Sequence, residues 1–305
     1  MIRNIGILLF GIFLAGNLPA ETVGSGQKVT LIAEIQIVNK SNLPISGYVH
    51  RISIPVNGHW QQELLQIRHD PVKSAIRKPF KDTAGEFLEI VWDIPANAQS
   101  VRKVYFELLL RDFHYPSQTT EWSEHLRQSE PQESYLQPAK YIEADSVEIR
   151  RLAQQIERSY SSSEGRLRAA YLLPQQIIQY RPQPNRGALY AVSVRQGDCT
   201  EFSALFVALA RAMGYPARMT SEFHFRERRS FDRPNHHAAE VYLNERWIPV
   251  DPNLALDPSS GYGFGYGGRT KVVLNRNSVW VWSNRWPKGF NKKNQVEVDV
   301  QWHIE

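Results

Sequence analysis

The apolar residues of this chain change their spacing partway along its 305 residues. From residue 28 to about residue 112, apolar and polar positions alternate in short segments such as "KVTLIAEIQIVN", "GYVHRISIPV", "GEFLEIVWDI" and "VRKVYFELLLRDF", separated by "SNLPIS", "DTAG" and "PANAQS". Alternation interrupted by turn residues is typical of antiparallel strands. We therefore predict an all-β sandwich domain over residues 21–115.

From residue 145 onwards the spacing becomes helical. "EADSVEIRRLAQQIERSY" predicts a helix capped by Asp145 or Ser146, and "EGRLRAAYLLPQQIIQYRP" predicts a second helix with a kink at Pro174. Residues 116–140 are expected to form a linker, because the polar stretch within them shows no apolar period. Residues 141–305 are then a second, α+β domain, whose core sheet we expect to gain strands from the tail segments "SVWVWSNRW" and "QVEVDVQWHIE".

The first 20 residues have the pattern of a signal peptide. Arg3 precedes an apolar run that extends to about Leu18, and small residues lead to a predicted cleavage site after Ala20. A retained anchor is the alternative, but the run is shorter than the roughly 20 apolar residues that a bilayer span needs. We predict an exported protein, periplasmic or secreted, with no stable membrane span after cleavage.

Charge and cysteine content exclude some functions. The net charge is +5, but the basic residues are scattered and do not alternate with aromatic residues, so no nucleic-acid partner is expected. Cys199 is the single cysteine and cannot form a disulfide within the chain. Its thiol is therefore either buried and inert, paired between chains, or reactive.

The cysteine lies in "RQGDCTEFSALF", residues 195–206, at the predicted start of a helix. Asp198 and Glu201 have the spacing of a capping box, which places Cys199 in the first helical turn. Apolar residues then recur every three or four positions and predict one buried stripe. They are Phe202, Leu205, Phe206, Leu209 and Met213.

A cysteine at this position has the surroundings that a nucleophile needs. The partial positive charge of a helix N-terminus favours the thiolate of Cys199, and the free backbone N–H groups there can also bind an oxyanion. We expect Gly197 to let a substrate backbone approach the sulfur, since it has no side chain. A small buried cysteine without a role is the alternative.

A base and an orienting acid can be predicted from a hairpin. "AAEVYL" and "RWIPVD" are strand-like, and a two-residue loop between them would pair Leu243 with Arg246. In that register His236 is the diagonal neighbour of Asp251, within reach of its side chain. A slip of one residue would bring His237 there instead. Neighbouring histidines on a strand point to opposite faces, so we expect no metal site and no cofactor.

These residues together resemble the transglutaminase-like superfamily, in particular its exported bacterial members described as cysteine proteases. The resemblance covers about residues 141–253 and is carried by "GDCTEFSALFVALARAMGYPAR", "HHAAEVYL" and "WIPVDPN". It implies a papain-like α+β core in which the cysteine helix packs on an antiparallel sheet. It also implies that Cys199 is the nucleophile, His236 the base and Asp251 the orienting acid.

Two further positions are interpreted through the resemblance. An upstream tyrosine or tryptophan often lies near the oxyanion in this family, and Tyr180 is the nearest candidate, with a tyrosine packed at a helix end as the alternative. Family members often have an aromatic residue two positions after the histidine, where this chain has Ala238. The alanine implies a wider substrate groove.

The implied chemistry is acyl transfer at peptide or amide bonds through a thioester. Water as the acceptor makes a peptidase or amidase, and we favour hydrolysis because the chain lacks a calcium loop of the "DxDxDG" type. Transglutaminase-type amine transfer and a catalytically silent peptide-binding module are the alternatives. Expected partners are peptide or protein substrates, cell-wall peptides included. The Gly/Tyr segment 257–270 is expected to form a flexible wall or lid beside the groove, or else an inert surface turn.

Overall fold

The structure is a computed structural model that describes residues 26–81, 84–115, 132–277, 280–290 and 295–305. The predicted signal peptide (1–20) and most of the predicted linker lie outside the described residues. The domain boundaries at 21–115, 116–140 and 141–305 therefore stay predictions. Among the described residues, no helix combines the length and the apolar character that a membrane crossing requires.

The described chain begins with seven strands. The four alternating segments form long strands as predicted, and two strands that were not predicted, β3 and β4, lie between them. Both lie at sheet edges with most of their side chains exposed or half-buried, so they carry no clear apolar alternation. The strands are β1 (Gln27–Asn39), β2 (Ile45–Ser53), β3 (Gln62–His69), β4 (Ser74–Pro79), β5 (Glu86–Ile94), β6 (Ala98–Leu110) and β7 (Phe113–His114).

The second half of the described chain contains four α-helices and the remaining ten strands. Ser146 caps the first helix by accepting the Ile149 N–H, and Pro174 lies in the last turn of the second. The short third helix was not predicted. The helices are α1 (Val147–Ser159), α2 (Ser163–Ile177), α3 (Ala188–Val194) and α4 (Cys199–Ala212). The strands are β8 (Gln179–Tyr180), β9 (Gln196–Gly197), β10 (Ala217–His224), β11 (Ser230–Phe231), β12 (His236–Leu243), β13 (Arg246–Val250), β14 (Tyr266–Gly267), β15 (Lys271–Arg276), β16 (Trp282–Arg285) and β17 (Val296–Ile304).

Two sheets form the sandwich, and the tail of the chain belongs to them. One sheet has the order β11-β17-β1-β6-β3 and the other β16-β2-β5-β4. Our expectation that the tail strands would join the core sheet of the second domain is wrong, because β17 pairs with β1 from Leu31↔Ile304 to Asn39↔Val296 and β16 pairs with β2. The reason is burial: Trp302 on β17 is fully buried in the sandwich core.

The cysteine helix packs on a separate antiparallel sheet with the order β13-β12-β10-β15. Helices α1, α2 and α3 cover the other sides of α4. Residues from Glu201 to Arg211 are consequently all buried, which is more extensive than the single predicted stripe. The architecture is the predicted α+β fold, in which the cysteine helix packs on an antiparallel sheet and an all-β sandwich is built from strands at both ends of the described chain.

A segment of the sandwich inserts into the second half of the chain. Trp60 packs in the core of the helices, and its indole N–H donates to the Trp247 carbonyl at 2.7 Å. The Gln62 side-chain amide donates to the Val273 carbonyl at 2.8 Å and accepts the Val273 N–H at 2.7 Å. Strand β15 is therefore held from the sandwich side as well as by its neighbour β10.

Candidate active site

The single cysteine lies at the N-terminus of α4 and is partly exposed. The predicted capping box is confirmed: Asp198 accepts the Thr200 N–H at 2.9 Å, and Glu201 accepts the Asp198 N–H at 3.1 Å. The Cys199 N–H has no hydrogen-bond acceptor among the described residues, as expected for the first residue of a helix. A free N–H group thus lies beside the sulfur.

Gly197 has a role in packing. A Cβ at this position would lie 2.3 Å from the Glu201 Cβ, so only glycine leaves room for the buried Glu201 side chain. That carboxylate also accepts the Arg186 N–H at 2.7 Å, which fastens the preceding loop to α4. The expected approach of a substrate beside Gly197 stays a prediction.

The predicted hairpin register is confirmed. Leu243 pairs with Arg246, and the two loop residues between them have φ of 51° and 62°, as a tight hairpin turn requires. His236 Nε2 lies 2.8 Å from Asp251 Oδ2, with both side chains buried. The His237 ring instead contacts the Thr220 carbonyl at 3.1 Å. The structure therefore brings His236, and not His237, to the aspartate.

The surroundings of His236 favour its protonated form. Burial alone would lower the pKa of the imidazole, but the Asp251 carboxylate and the Cys199 side chain outweigh it and raise that pKa to about 10. Because Nε2 of His236 contacts Asp251, Nδ1 is the ring nitrogen left for the hydrogen bond with Cys199. At neutral pH this raised pKa favours an imidazolium beside the Cys199 sulfur.

A buried lysine, which the sequence interpretation missed, lies behind the aspartate. Lys271 Nζ contacts Asp251 Oδ2 at 2.8 Å and Glu222 Oε2 at 2.7 Å. The pKa of Asp251 is well below its usual range: burial would raise it, but Lys271 and His236 lower it. Two features could have indicated this cluster. Lys271 begins the apolar segment "KVVLNR", and Glu222 is the cross-strand partner of His236.

The same cluster contains donor atoms that could hold a metal ion. Ligand atoms of Glu222, His236 and Asp251 lie within 4.8 Å of one another. The Lys271 ammonium contacts both carboxylates, so a cation already occupies the position between them. The arrangement fits a buried ion-pair network better than a metal centre.

The Gly/Tyr segment packs behind the aspartate. Tyr262 is buried with its ring 4.2 Å from Lys271 Nζ, and its hydroxyl accepts the Thr270 N–H at 3.0 Å. The Gly263 carbonyl accepts the Asp251 N–H at 3.1 Å. These contacts make this part of the segment a rigid support of Asp251 rather than a flexible lid.

Tyr180 lies on the strand beside the cysteine. It pairs with Gly197 across β8 and β9, and about half of the residue (54 %) is exposed. Partial burial raises the pKa of its phenol, and the nearby Cys199 and Asp198 raise it further. Tyr180 therefore lies beside the segment that leads into α4, and it is not a core tyrosine at the end of α2.

A second buried ion network lies on the histidine strand. Glu240 is 1 % exposed and accepts hydrogen bonds from Arg218 Nε at 2.6 Å and Arg276 Nε at 2.8 Å. The Arg218 guanidinium also stacks on Trp247, 3.8 Å from the ring centroid. This glutamate stabilises the strand that carries His236.

Comparison with known proteins identifies the region around this site. Residues 150–252 match the family model of the transglutaminase-like superfamily. No sequence relative was found among curated proteins. The fold is similar to that of a "putative cysteine protease" from Cytophaga hutchinsonii, with a TM-score of 0.58, 14% identity and coverage of 93% of this chain and 92% of that chain.

A more distant similarity is to the periplasmic domain of TgpA from Pseudomonas aeruginosa bound to ethylmercury. The TM-score is 0.35 at 15% identity, with 78% of this chain and 92% of that chain covered. The match at residues 150–252 includes all three residues of the Cys199–His236–Asp251 cluster. Residues 150–252 of this chain, about a third of its length, are therefore similar to the transglutaminase-like superfamily.

Proposed function

We propose that the protein is an exported cysteine peptidase or amidase, in which Cys199, His236 and Asp251 form the catalytic triad. The observation that carries the proposal is the 2.8 Å contact between His236 and Asp251, made by a histidine that also bonds the side chain of Cys199. A nucleophile, a base and an orienting acid in contact are what covalent catalysis at an acyl group requires.

The proposed reaction begins with the thiolate of Cys199 attacking the carbonyl carbon of a peptide or amide bond. The oxygen becomes an oxyanion, which the free Cys199 N–H can receive, with the Tyr180 phenol as a second candidate donor. The His236 imidazolium then gives its Nδ1 proton to the leaving amine, and a thioester remains on Cys199. Asp251 keeps the ring oriented through Nε2.

In the second half of the reaction, neutral His236 takes a proton from water, and the resulting hydroxide attacks the thioester. The acid product leaves, and the thiolate and the imidazolium are restored. An amine in place of water would give transglutaminase-type transfer with the same residues. We favour water because the chain has no calcium-loop pattern and the signal-peptide pattern predicts export into an aqueous compartment.

The test is a comparison of the two adjacent histidines. Cys199→Ala should abolish cleavage of peptide and cell-wall stem-peptide substrates, and His236→Ala should lower turnover by orders of magnitude. His237→Ala is the matched control and should change turnover only modestly, since its ring contacts the Thr220 carbonyl and not Asp251. Cleavage is followed by mass spectrometry, which also detects an acyl adduct on Cys199.

Three outcomes contradict the proposal in different ways. A dead His237→Ala variant with an active His236→Ala variant would reassign the base. Added primary amine that diverts most of the acyl group from water would make amine transfer the activity. Binding of peptides without any adduct on Cys199 would identify a silent binding module.

A further inference from the structure

A buried ion network lies behind the candidate triad and is built around Lys271. We propose that Lys271 is a positioning residue: its ammonium, held by Glu222, keeps the Asp251 carboxylate charged and aimed at His236. In this way it sets the pH range in which the Cys199–His236 pair works. The inference rests on the proposed function, and its experiment can fail independently of it.

The geometry couples the lysine directly to the base. Lys271 Nζ and His236 Nε2 contact the same oxygen, Asp251 Oδ2, each at 2.8 Å. The other oxygen, Oδ1, accepts the Leu254 N–H at 2.9 Å. Both oxygens of the carboxylate are thus engaged, and Lys271 and His236 share one of them.

The lysine is itself held in place from three sides. Its ammonium contacts Glu222 Oε2 at 2.7 Å, and the ring of Tyr262 covers it at 4.2 Å. The side-chain amide of Gln61, which comes from the sandwich, donates to the Lys271 backbone carbonyl. Only 5% of the lysine side chain is exposed. A flexible surface lysine could not fix the direction of Asp251, but this one can.

The charges in the network balance in pairs. Two carboxylates, Glu222 and Asp251, face two cations, Lys271 and protonated His236, in an environment where an unpaired charge is costly. The other titratable groups that face them are the Cys199 thiol, the phenols of Tyr171 and Tyr262, and three histidines. Burial lowers the pKa of each histidine, to about 4 for the first two. Those histidines are His224, His59 and His237.

Removing one charge should therefore move the titration of the whole site. Lys271→Met leaves two carboxylates facing His236, which stabilises the imidazolium and disfavours the thiolate, so both pKa values of the Cys199–His236 pair should rise. Glu222→Gln leaves an excess positive charge, so both should fall. The double variant restores the balance and should return both values close to those of the parent.

The readout is the rate at which iodoacetamide alkylates Cys199, measured from about pH 3 to about pH 12, so that a transition raised above the His236 pKa of about 10 stays within the range. The parent rate should change twice, as the thiol ionises beside the imidazolium and as the imidazolium loses its proton. Each single variant should shift both changes by at least about one pH unit, because a unit charge is removed within direct reach of the imidazole. Lys28→Met, at an exposed position on β1, is the control and should shift neither.

The double variant separates electrostatic positioning from a structural role. A structural role predicts a lower melting temperature without a shift of the pH profile, or a double variant that retains the profile of Lys271→Met, and either result would overturn the inference. If circular dichroism shows Lys271→Met unfolded, the downward shift of Glu222→Gln decides instead. A parent profile with one transition, at the pH of an ordinary cysteine, would refute the proposed function itself.

Discussion

Replacing Glu240 by glutamine should destabilise the fold far more than the same substitution of a glutamate at the surface. Glu240 is 1 % exposed and is the counterion of both Arg218, which is fully buried, and Arg276, which is nearly so. The neutral amide removes the carboxylate charge that both guanidinium groups contact in the interior. Breaking a buried ion pair by removing one partner costs about 3–5 kcal/mol.

That loss should lower the melting temperature by roughly 10 °C, as expected for a protein of this size class. Differential scanning calorimetry at neutral pH measures it, with Glu107→Gln as the matched control. Glu107 pairs with Arg68 at 2.8 Å, but its side chain is 33% exposed, so this loss should stay below about 1 kcal/mol. Equal effects of the two substitutions would refute the assignment of the stabilisation to burial.

The pH dependence gives an independent check of the same reasoning. Burial alone would raise the pKa of Glu240, but Arg218 and Arg276 hold it well below its usual range. The Glu240 carboxylate is therefore protonated more readily in the unfolded chain, where the pKa of a glutamate side chain is about 4.3. Its stabilisation is fully present above that pH and is lost as the pH falls towards the folded-state pKa. The difference between parent and Glu240→Gln should shrink on acidification, and a constant difference would contradict this account.

Two further predictions concern the candidate site. Asp251→Asn should slow single-turnover acylation sharply, because an amide no longer offsets the charge on His236, but less than loss of the cysteine does, because the amide still orients the ring. Asp257→Asn is the exposed control. An unchanged acylation rate in Asp251→Asn would remove Asp251 from the triad. Gly197→Ala should destabilise the fold by about 1–3 kcal/mol in chemical denaturation, because the new Cβ would lie 2.3 Å from the Glu201 Cβ. An unchanged denaturation midpoint would show that α4 can shift to make room without a loss of stability.

The parts of the site that could be predicted from sequence are those set by local geometry. The capping box specifies where α4 begins because Asp198 and Glu201 are three residues apart. The two-residue hairpin loop determines which histidine reaches Asp251, since the side-chain face alternates at every residue. Both inferences need only the spacing along one or two neighbouring elements.

The parts that could not be predicted depend on contacts between distant segments. Lys271 meets Asp251 and Glu222 only after three strands and the Gly/Tyr segment have packed. The apolar segment "KVVLNR" suggests a buried strand, but it does not identify the carboxylates that its lysine contacts. The tail strands were expected in the wrong sheet because alternation predicts a strand but not its partner. From the sequence, Gly197 was expected to let a substrate approach the sulfur, whereas the structure shows that the packing of the Glu201 side chain requires a glycine there.

The position of β17 beside β1 has a consequence for when the candidate site can assemble. A chain that is synthesised or exported from its N-terminus keeps one edge of β1 without its partner until residues 296–304 arrive. An open strand edge favours pairing with other chains. It also leaves unfinished the sandwich from which Gln62 holds β15, the strand of Lys271. A chain that lacks residues 296–304 should therefore lack an assembled candidate site, so we expect the proposed reactivity of Cys199 only after β17 has paired with β1.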